Sequence, residues 1–309
     1  MKKWLIAALV VIILFFVSVY VFIPSTISVN RTVVTAANTA AVYRKLQDKN
    51  MWAKAINGDV AAPGNSVTYN DYTLLIRHGI FDDISIQIVK DKDTVNTLFK
   101  CLSVALDSTG MQWTAFVTTS DNPIKRIQDF FIARKMPSLF DDVLDKLKIY
   151  TSVQSNVYGS AINLQMVTDT SLITTKALYK HYPSDSEVYQ LLQTLHTYIA
   201  GKAQQTNPPM MNVKTFPDSF YELMVAIPVN KHLENNGNIL FKQMIPGRIL
   251  VTEIKGGTKT VKQTFKSMDQ YLIDHRYNQP AIPFASLVTD RLNEPDTSKW
   301  ITKIYYPVY

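Results

Sequence analysis

The chain opens on twenty consecutive positions, residues 4–23 (WLIAALVVIILFFVSVYVFI), that hold no charge, glycine or proline. In a helix rising about 1.5 Å per residue this run covers about 30 Å, the hydrocarbon thickness of a bilayer. Lys2 and Lys3 precede it, and the next charge is Arg31. Positive charge on the short N-terminal side predicts a cytoplasmic N-terminus and an extracytoplasmic body, periplasmic in a bacterial cell. A cleaved signal peptide has a shorter apolar core followed by small residues, which residues 17–24 do not offer. The pattern predicts a single-pass anchor over 1–25, in contact with the membrane through residues 4–23.

From 26 to 152 the pattern changes twice. Residues 27–34 alternate as an opening strand, and 36–48 have helical spacing through Ala40, Val42, Tyr43 and Leu46, with Trp52 just beyond. Strand-like runs follow at 66–78, 84–89, 97–106 and 113–119. Turn signals separate them at His78-Gly79, at 90–93 and at Ser108-Thr109-Gly110. A long helix is predicted over 123–150, with Leu139, Val143, Leu144, Leu147 and Tyr150 on one face and Pro137 as a break or kink.

From 159 to 309 one pattern is written twice, at 172–229 and 248–308. Each copy has a strand-like run (172–179; 249–255), a helical stretch (184–202; 258–275), a proline loop (Asn207-Pro208-Pro209; Asn278-Gln279-Pro280) and a strand ending in Pro-Val (221–229; 300–308). A period of this length is too long for a solenoid. Two βαββ units predict a pseudo-twofold domain with a groove between its halves, the kind of place where small ligands sit. Residues 152–159 are polar and without periodicity, which sets the domain boundary. The expected fold class is α+β: a transmembrane helix, an antiparallel sheet gripping a long helix at 26–152, and the duplicated domain at 159–309.

Two stretches carry resemblances. The opening strand 27–34, the helix followed by Trp52, the turn Asn122-Pro123-Ile124 and the terminal Leu144-Asp145-Lys146-Leu147-Lys148 resemble the SRPBCC or polyketide-cyclase-like family, the helix-grip fold. That resemblance implies a curved sheet closed by the long helix around an apolar cavity for lipids or other hydrophobic small molecules. A second tryptophan often follows the first in that family; here Lys54-Ala55-Ile56 stands in its place. The doubled segment resembles the GyrI-like small-molecule-binding domain, which also serves AraC-type regulators as an effector-binding domain. Its strongest match is Leu287-Val288-Thr289-Asp290, Glu294-Pro295-Asp296 and the closing run 300–307. The resemblance implies a pocket glutamate that pairs with cationic ligands or acts in hydrolytic members, and that position falls on Ala285, with the following tyrosine on Leu287. A buried carboxylate needs a partner; without it the groove is expected to favour neutral or apolar ligands, or to have lost the ancestral activity.

Composition narrows the choice. The 309 residues carry a formal net charge of +7, of which Lys2 and Lys3 supply two. The remaining basic residues are scattered, and neither a basic run with aromatics nor a helix-turn-helix is evident, so no nucleic-acid partner is expected. Cys101 is the only cysteine, which excludes an intrachain disulfide, and it is read as a small buried apolar residue. His78, His181, His196, His232 and His275 show no metal-ligand spacing; HExxH, GxSxG and a phosphate-binding glycine loop are missing. No cofactor or metal is expected.

The candidate ligand wall comprises Tyr179, Tyr221, Glu253, Phe284, Leu287, Trp300 and Tyr306. Rings with polar tips suit an amphipathic ligand. Trp300, Thr302, Ile304 and Tyr306 share one strand face. Glu253 and Glu222 lie mid-strand, each readable as a groove carboxylate or as an exposed glutamate paired across the strand with a lysine. Trp52 and Trp113 are read as core. Three functions compete: non-catalytic capture or sensing of a hydrophobic or amphipathic small molecule; hydrolysis or isomerisation with Glu253 as general base and Tyr306 or Trp300 as ligand wall; and an envelope scaffold with filled pockets. Protein partners do not follow from the sequence.

Overall fold

The computed structural model describes residues 2–61, 66–78, 83–91, 93–168 and 170–309. The chain divides into two compact units, Met1–Val153 and Gln154–Tyr309.

The first unit begins with helix α1 (Lys2–Phe22). Among the described residues no helix is long and apolar enough to cross a membrane. The side chains of α1 are described without gaps only from residue 9 onward, so the run behind the expected anchor lies partly outside them. Strand β1 (Thr26–Thr35) leads into helices α2 (Thr39–Leu46) and α3 (Lys49–Ile56). Strands β2 (Asp59–Ala61), β3 (Ser66–Tyr69), β4 (Tyr72–His78), β5 (Asp83–Lys90), β6 (Asp93–Ala105) and β7 (Ser108–Thr118) follow, then helix α4 (Pro123–Ser152). The sheet is antiparallel in the order β1-β7-β6-β5-β4-β3-β2.

Helix α4 lies on this sheet with Met136, Leu139, Phe140, Val143, Leu144 and Leu147 buried. The interior is filled by rings. Trp113 stacks on Phe140 with centroids 4.3 Å apart, and Trp52 meets Phe99 and Trp113 edge-on at 5.6 and 6.3 Å. Both indoles are satisfied: Trp52 Nε1 donates to the Leu46 carbonyl and Trp113 Nε1 to Thr97 Oγ1, each at 2.7 Å. A buried N–H without an acceptor would cost as much as a lost hydrogen bond, so these contacts fix both rings in place. Polar ties hold α4 along its length. Arg31 pairs with Asp141 at 2.9 Å, and the Tyr69 hydroxyl bridges Asp142 and Lys146. The tyrosine contact pushes the Lys146 ammonium above its ordinary pKa. Buried Arg126 donates through Nε and Nη2 to the Ile23 carbonyl at 2.9 and 2.6 Å and lies over the Tyr20 ring, clamping the end of α1.

Several expected elements differ. The predicted helix 36–48 is the shorter α2, and Trp52 beyond it lies in a second helix, α3, which starts where the Asp48 side chain accepts from Asn50 N. The run 66–78 is a hairpin turning at Asn70, whose φ is 50°. The turn expected at Ser108–Gly110 falls at Leu106–Asp107 instead, and residues 108–110 are ladder positions of β7. Part of the His78-Gly79 turn lies outside the described residues. Pro137 does not end α4: a helix can tolerate one missing N–H when its apolar face is packed, as it is here.

The second unit begins with a short helix, α5 (Gln154–Tyr158), where an aperiodic linker was expected. Then come β8 (Asn163–Met166), β9 (Ser171–Tyr179), α6 (Asp185–Ile199), β10 (Met210–Thr215), β11 (Tyr221–Pro228), β12 (Leu240–Gln243), β13 (Arg248–Lys255), α7 (Thr258–His275), β14 (Phe284–Leu287) and β15 (Ile301–Val308). Sheet order is β12-β9-β11-β10-β14-β15-β13-β8. The order is a palindrome of roles, with first, third and second strands of one copy facing second, third and first of the other. Its centre is the β10–β14 pairing, Met210 opposite Ser286 and Met211 opposite Ala285. The edge strands β8 and β12 are additions to the expected βαββ units. Helix α6 starts with a capping box between Ser184 and Glu187 and buries Val188, Leu192, Leu195 and Ile199 against Ile173, Leu223, Val225 and Ile227. Gly256, with φ of 143°, makes the turn from β13 into α7, a conformation that glycine adopts without strain. The Tyr158 hydroxyl donates to Asp274 on α7 at 2.8 Å.

Phe140 supports the ring cluster from the helix side. Phe140→Ala is expected to lower the stability of the first unit by about 3–5 kcal/mol. Urea unfolding of the full chain, followed by tryptophan emission, checks this; a first-unit transition left at its original midpoint would contradict the packing account.

Candidate functional site

At the palindrome's centre the sheet and both long helices of the second unit border a cavity of about 460 Å³, within the roughly 300–1,000 Å³ range of small-molecule sites. Strand alternation builds its floor. Met211 and Ala285 are paired at the seam and line the cavity, as do Val213 and Thr215 further along β10. Their neighbours Met210 and Phe284 belong to a separate cluster with Leu172 and Ala226, as expected where successive side chains point to opposite faces. Ala285 is 3% exposed and has no polar group, so the floor there is apolar.

The walls come from both copies. From the first come Tyr182, Pro183, Asp185 and Val188 at the start of α6, and Tyr221 at the start of β11. From the second come Val261, Lys262, Phe265, Lys266 and Asp269 on α7, together with Pro283, Arg291 and Tyr306. Tyr182 and Tyr221 meet edge-on at 5.7 Å, and burial raises the pKa of the Tyr182 phenol. The Tyr306 hydroxyl donates to Asp269 Oδ1 at 2.7 Å and to the Phe265 carbonyl at 3.1 Å. Burial first, and the hydrogen bond to Asp269 second, drive the Tyr306 phenol far above its ordinary value. Tyr306 is therefore a neutral donor, not a base.

Arg291 joins the copies. Its side chain is 5% exposed, and Nη1 reaches Asp185 Oδ1 at 2.8 Å. Nη2 donates to Thr302 Oγ1 at 3.1 Å, the guanidinium lies over the Trp300 ring, and the backbone N–H of Arg291 donates to the Tyr189 hydroxyl at 2.8 Å. A guanidinium can serve so many partners at once because its donors form a rigid fork.

Of the candidate residues drawn from the sequence, Tyr221 and Tyr306 line the cavity, and the other five do not. Glu253 is exposed and pairs with Lys303 across β13–β15 at 3.6 Å; that takes it out of the groove, and with it the general base of the hydrolase reading. Glu222 likewise pairs with Lys176 at 2.7 Å. Phe284 is on the opposite sheet face, stacked on Tyr305 at 5.0 Å. Leu287 has the groove's parity but packs in the α6 core. Trp300 lies beneath Arg291, its Nε1 bonded to the Glu294 carbonyl at 2.7 Å. Tyr179 packs at the end of β9 beside His181. The residues not anticipated, Lys262, Lys266 and Asp269, share one face of α7 through spacings of four and three, a pattern that in sequence is the same as that of a solvated helix face. Arg291 directly follows the Leu287–Asp290 loop. Cys101 is buried. Among the described residues no group of three His, Cys, Asp or Glu side chains could hold a metal ion.

Arg291→Ala should destabilise the second unit by roughly 2 kcal/mol, less than a fully buried pair would lose because Asp185 is about a third exposed. Arg291→Lys should not restore the loss, since an ammonium cannot span Asp185, Thr302 and the indole together. Denaturant midpoints of the second-unit transition measure both.

No family model matches the chain, and no curated protein does. Among solved structures, it overlays on an EcmrR–DNA complex at 17% identity and TM-score 0.43, covering 61% of this chain and 72% of that one. It overlays on the EcmrR C-terminal domain at 18% identity and TM-score 0.41, covering 48% and 98% respectively. It also overlays on a START superfamily protein from Mycobacterium smegmatis at 10% identity and TM-score 0.30, covering 40% and 96% respectively. These overlaps are too loose to assign a function.

Proposed function

We propose that this protein is a membrane-anchored receptor that captures an amphipathic or hydrophobic small molecule in the groove between the two copies, without turning it over. The observation that carries this reading is the 460 Å³ cavity at the pseudo-dyad, lined by rings and a few fixed polar groups. The absence of catalysis is supported by the roles of its polar groups: Arg291 is committed to Asp185, and Asp269 accepts the Tyr306 hydroxyl. In this reading the first unit, whose interior is packed with Trp52, Phe99, Trp113 and Phe140, is a presenting module between anchor and receptor. Residues 1–25 form the anchor, with the N-terminus cytoplasmic and the body outside. The reading of the anchor rests on the uncharged run 4–23 behind Lys2 and Lys3.

Ala285→Trp is expected to fill the groove floor and abolish ligand capture. Native mass spectrometry of the detergent-solubilised full chain, with extraction of co-purified small molecules, measures it; equal occupancy in wild type and variant would refute the site. Leu14→Arg combined with Val17→Arg is expected to release the chain from the membrane fraction, each arginine at a helix centre costing about 2.5–3.5 kcal/mol of insertion. Retention after an alkaline wash would remove the anchor.

A further inference from the structure

We propose that the groove selects organic anions, taking a ligand with an aromatic or apolar body and a sulfonate-, carboxylate- or phosphate-like head. This inference rests on the groove being a ligand site and goes further by assigning the sign of the ligand's charge.

The cavity is lined by three cations, Lys262, Lys266 and Arg291, and two carboxylates, Asp185 and Asp269. Their commitments differ. Arg291 and Asp185 neutralise each other at 2.8 Å. Asp269 accepts the Tyr306 hydroxyl at 2.7 Å. Neither lysine ammonium has a carboxylate partner among the described residues. Lys262 Nζ instead rests over the Tyr182 ring, 3.3 Å from its centroid, which holds the charge at the cavity wall by a cation–π contact. Lys266 stands one helical turn further along α7, on the same face.

The floor contributes no opposing charge. Ala285 and Met211, paired at the seam, are both without a carboxylate, so nothing beneath the ligand would neutralise a bound cation. A cationic ligand would meet two unpaired ammoniums and a carboxylate already hydrogen-bonded. An anionic head would gain two charge-assisted contacts, and its body would lie against Tyr221, Tyr306, Phe265 and Val261. Both lysines are exposed residues, so the attraction is screened and falls as salt rises.

The experiment is isothermal titration of the full chain in an uncharged detergent with two probes sharing one ring system, 2-naphthalenesulfonate and 2-naphthyltrimethylammonium. The anion is expected to bind about tenfold more tightly at low salt. The double variant Lys262→Gln, Lys266→Gln is expected to erase that preference while still binding the naphthyl body; both positions are solvent-facing, so folding is not at issue. Equal affinities, or a preference for the cation, would overturn the charge assignment and leave the receptor reading standing. An anion preference that survives the double variant would overturn the assignment to these lysines. Binding of neither probe to wild type would overturn the receptor reading along with it.

Discussion

The second unit depends on a very short seam. Two residue pairs, Met210–Ser286 and Met211–Ala285, join one four-stranded half to the other. They make the eight strands one sheet, and they do so with small side chains on one of the two strands. A longer ladder of bulky residues would bring the halves together without space; here the wall elements of the two copies stand apart over a floor that rises little. The groove follows from pairing geometry and side-chain volume, and no special loop is required.

The two copies share a backbone plan, and their side chains divide the work. The first brings Asp185, Tyr182 and Tyr221, while the second brings Arg291, Tyr306 and the lysines of α7. Arg291 crosses from the second copy to the helix start of the first, so the ion pair serves as a staple across the pseudo-dyad. Its charge is spent on architecture. Its commitment to Asp185 leaves the exposed face of α7 to set the electrostatic character of the opening.

Much of this plan was legible in the chain. The doubling at 172–229 and 248–308, the long helix carrying Leu139 to Leu147, and the bland reading of Trp52, Trp113 and Cys101 all follow from period and polarity. The groove wall was legible only where period decides. Tyr306 was found because β15 alternates cleanly, and its buried face holds Thr302, Ile304 and Tyr306. Phe284 was misplaced by one position, and in a strand one position is the whole difference between faces. Glu253 stayed open between groove carboxylate and exposed, lysine-paired glutamate, the second being what the structure shows, because β13 is buried on both sides through residues 249–252 and alternation there does not say which side the groove is on. Edge strands β8 and β12 have four residues each, too few for a periodic signal. Lys262 and Lys266 look from the sequence like any solvated helix face; only the position of α7 beside Tyr182 gives them a role.

Those same edge strands have a topological consequence. β8 precedes the first copy yet pairs with β13 of the second, and β12 precedes the second yet pairs with β9 of the first. The crossing chains touch, with Val167 N bonded to the Gly247 carbonyl and Met244 N to the Thr170 carbonyl. Each half thus lends its leading ribbon to the other, as in a domain-swapped dimer fused into one polypeptide. Neither half can complete its own sheet by itself, so the second unit must assemble through distant contacts and melt as an indivisible whole.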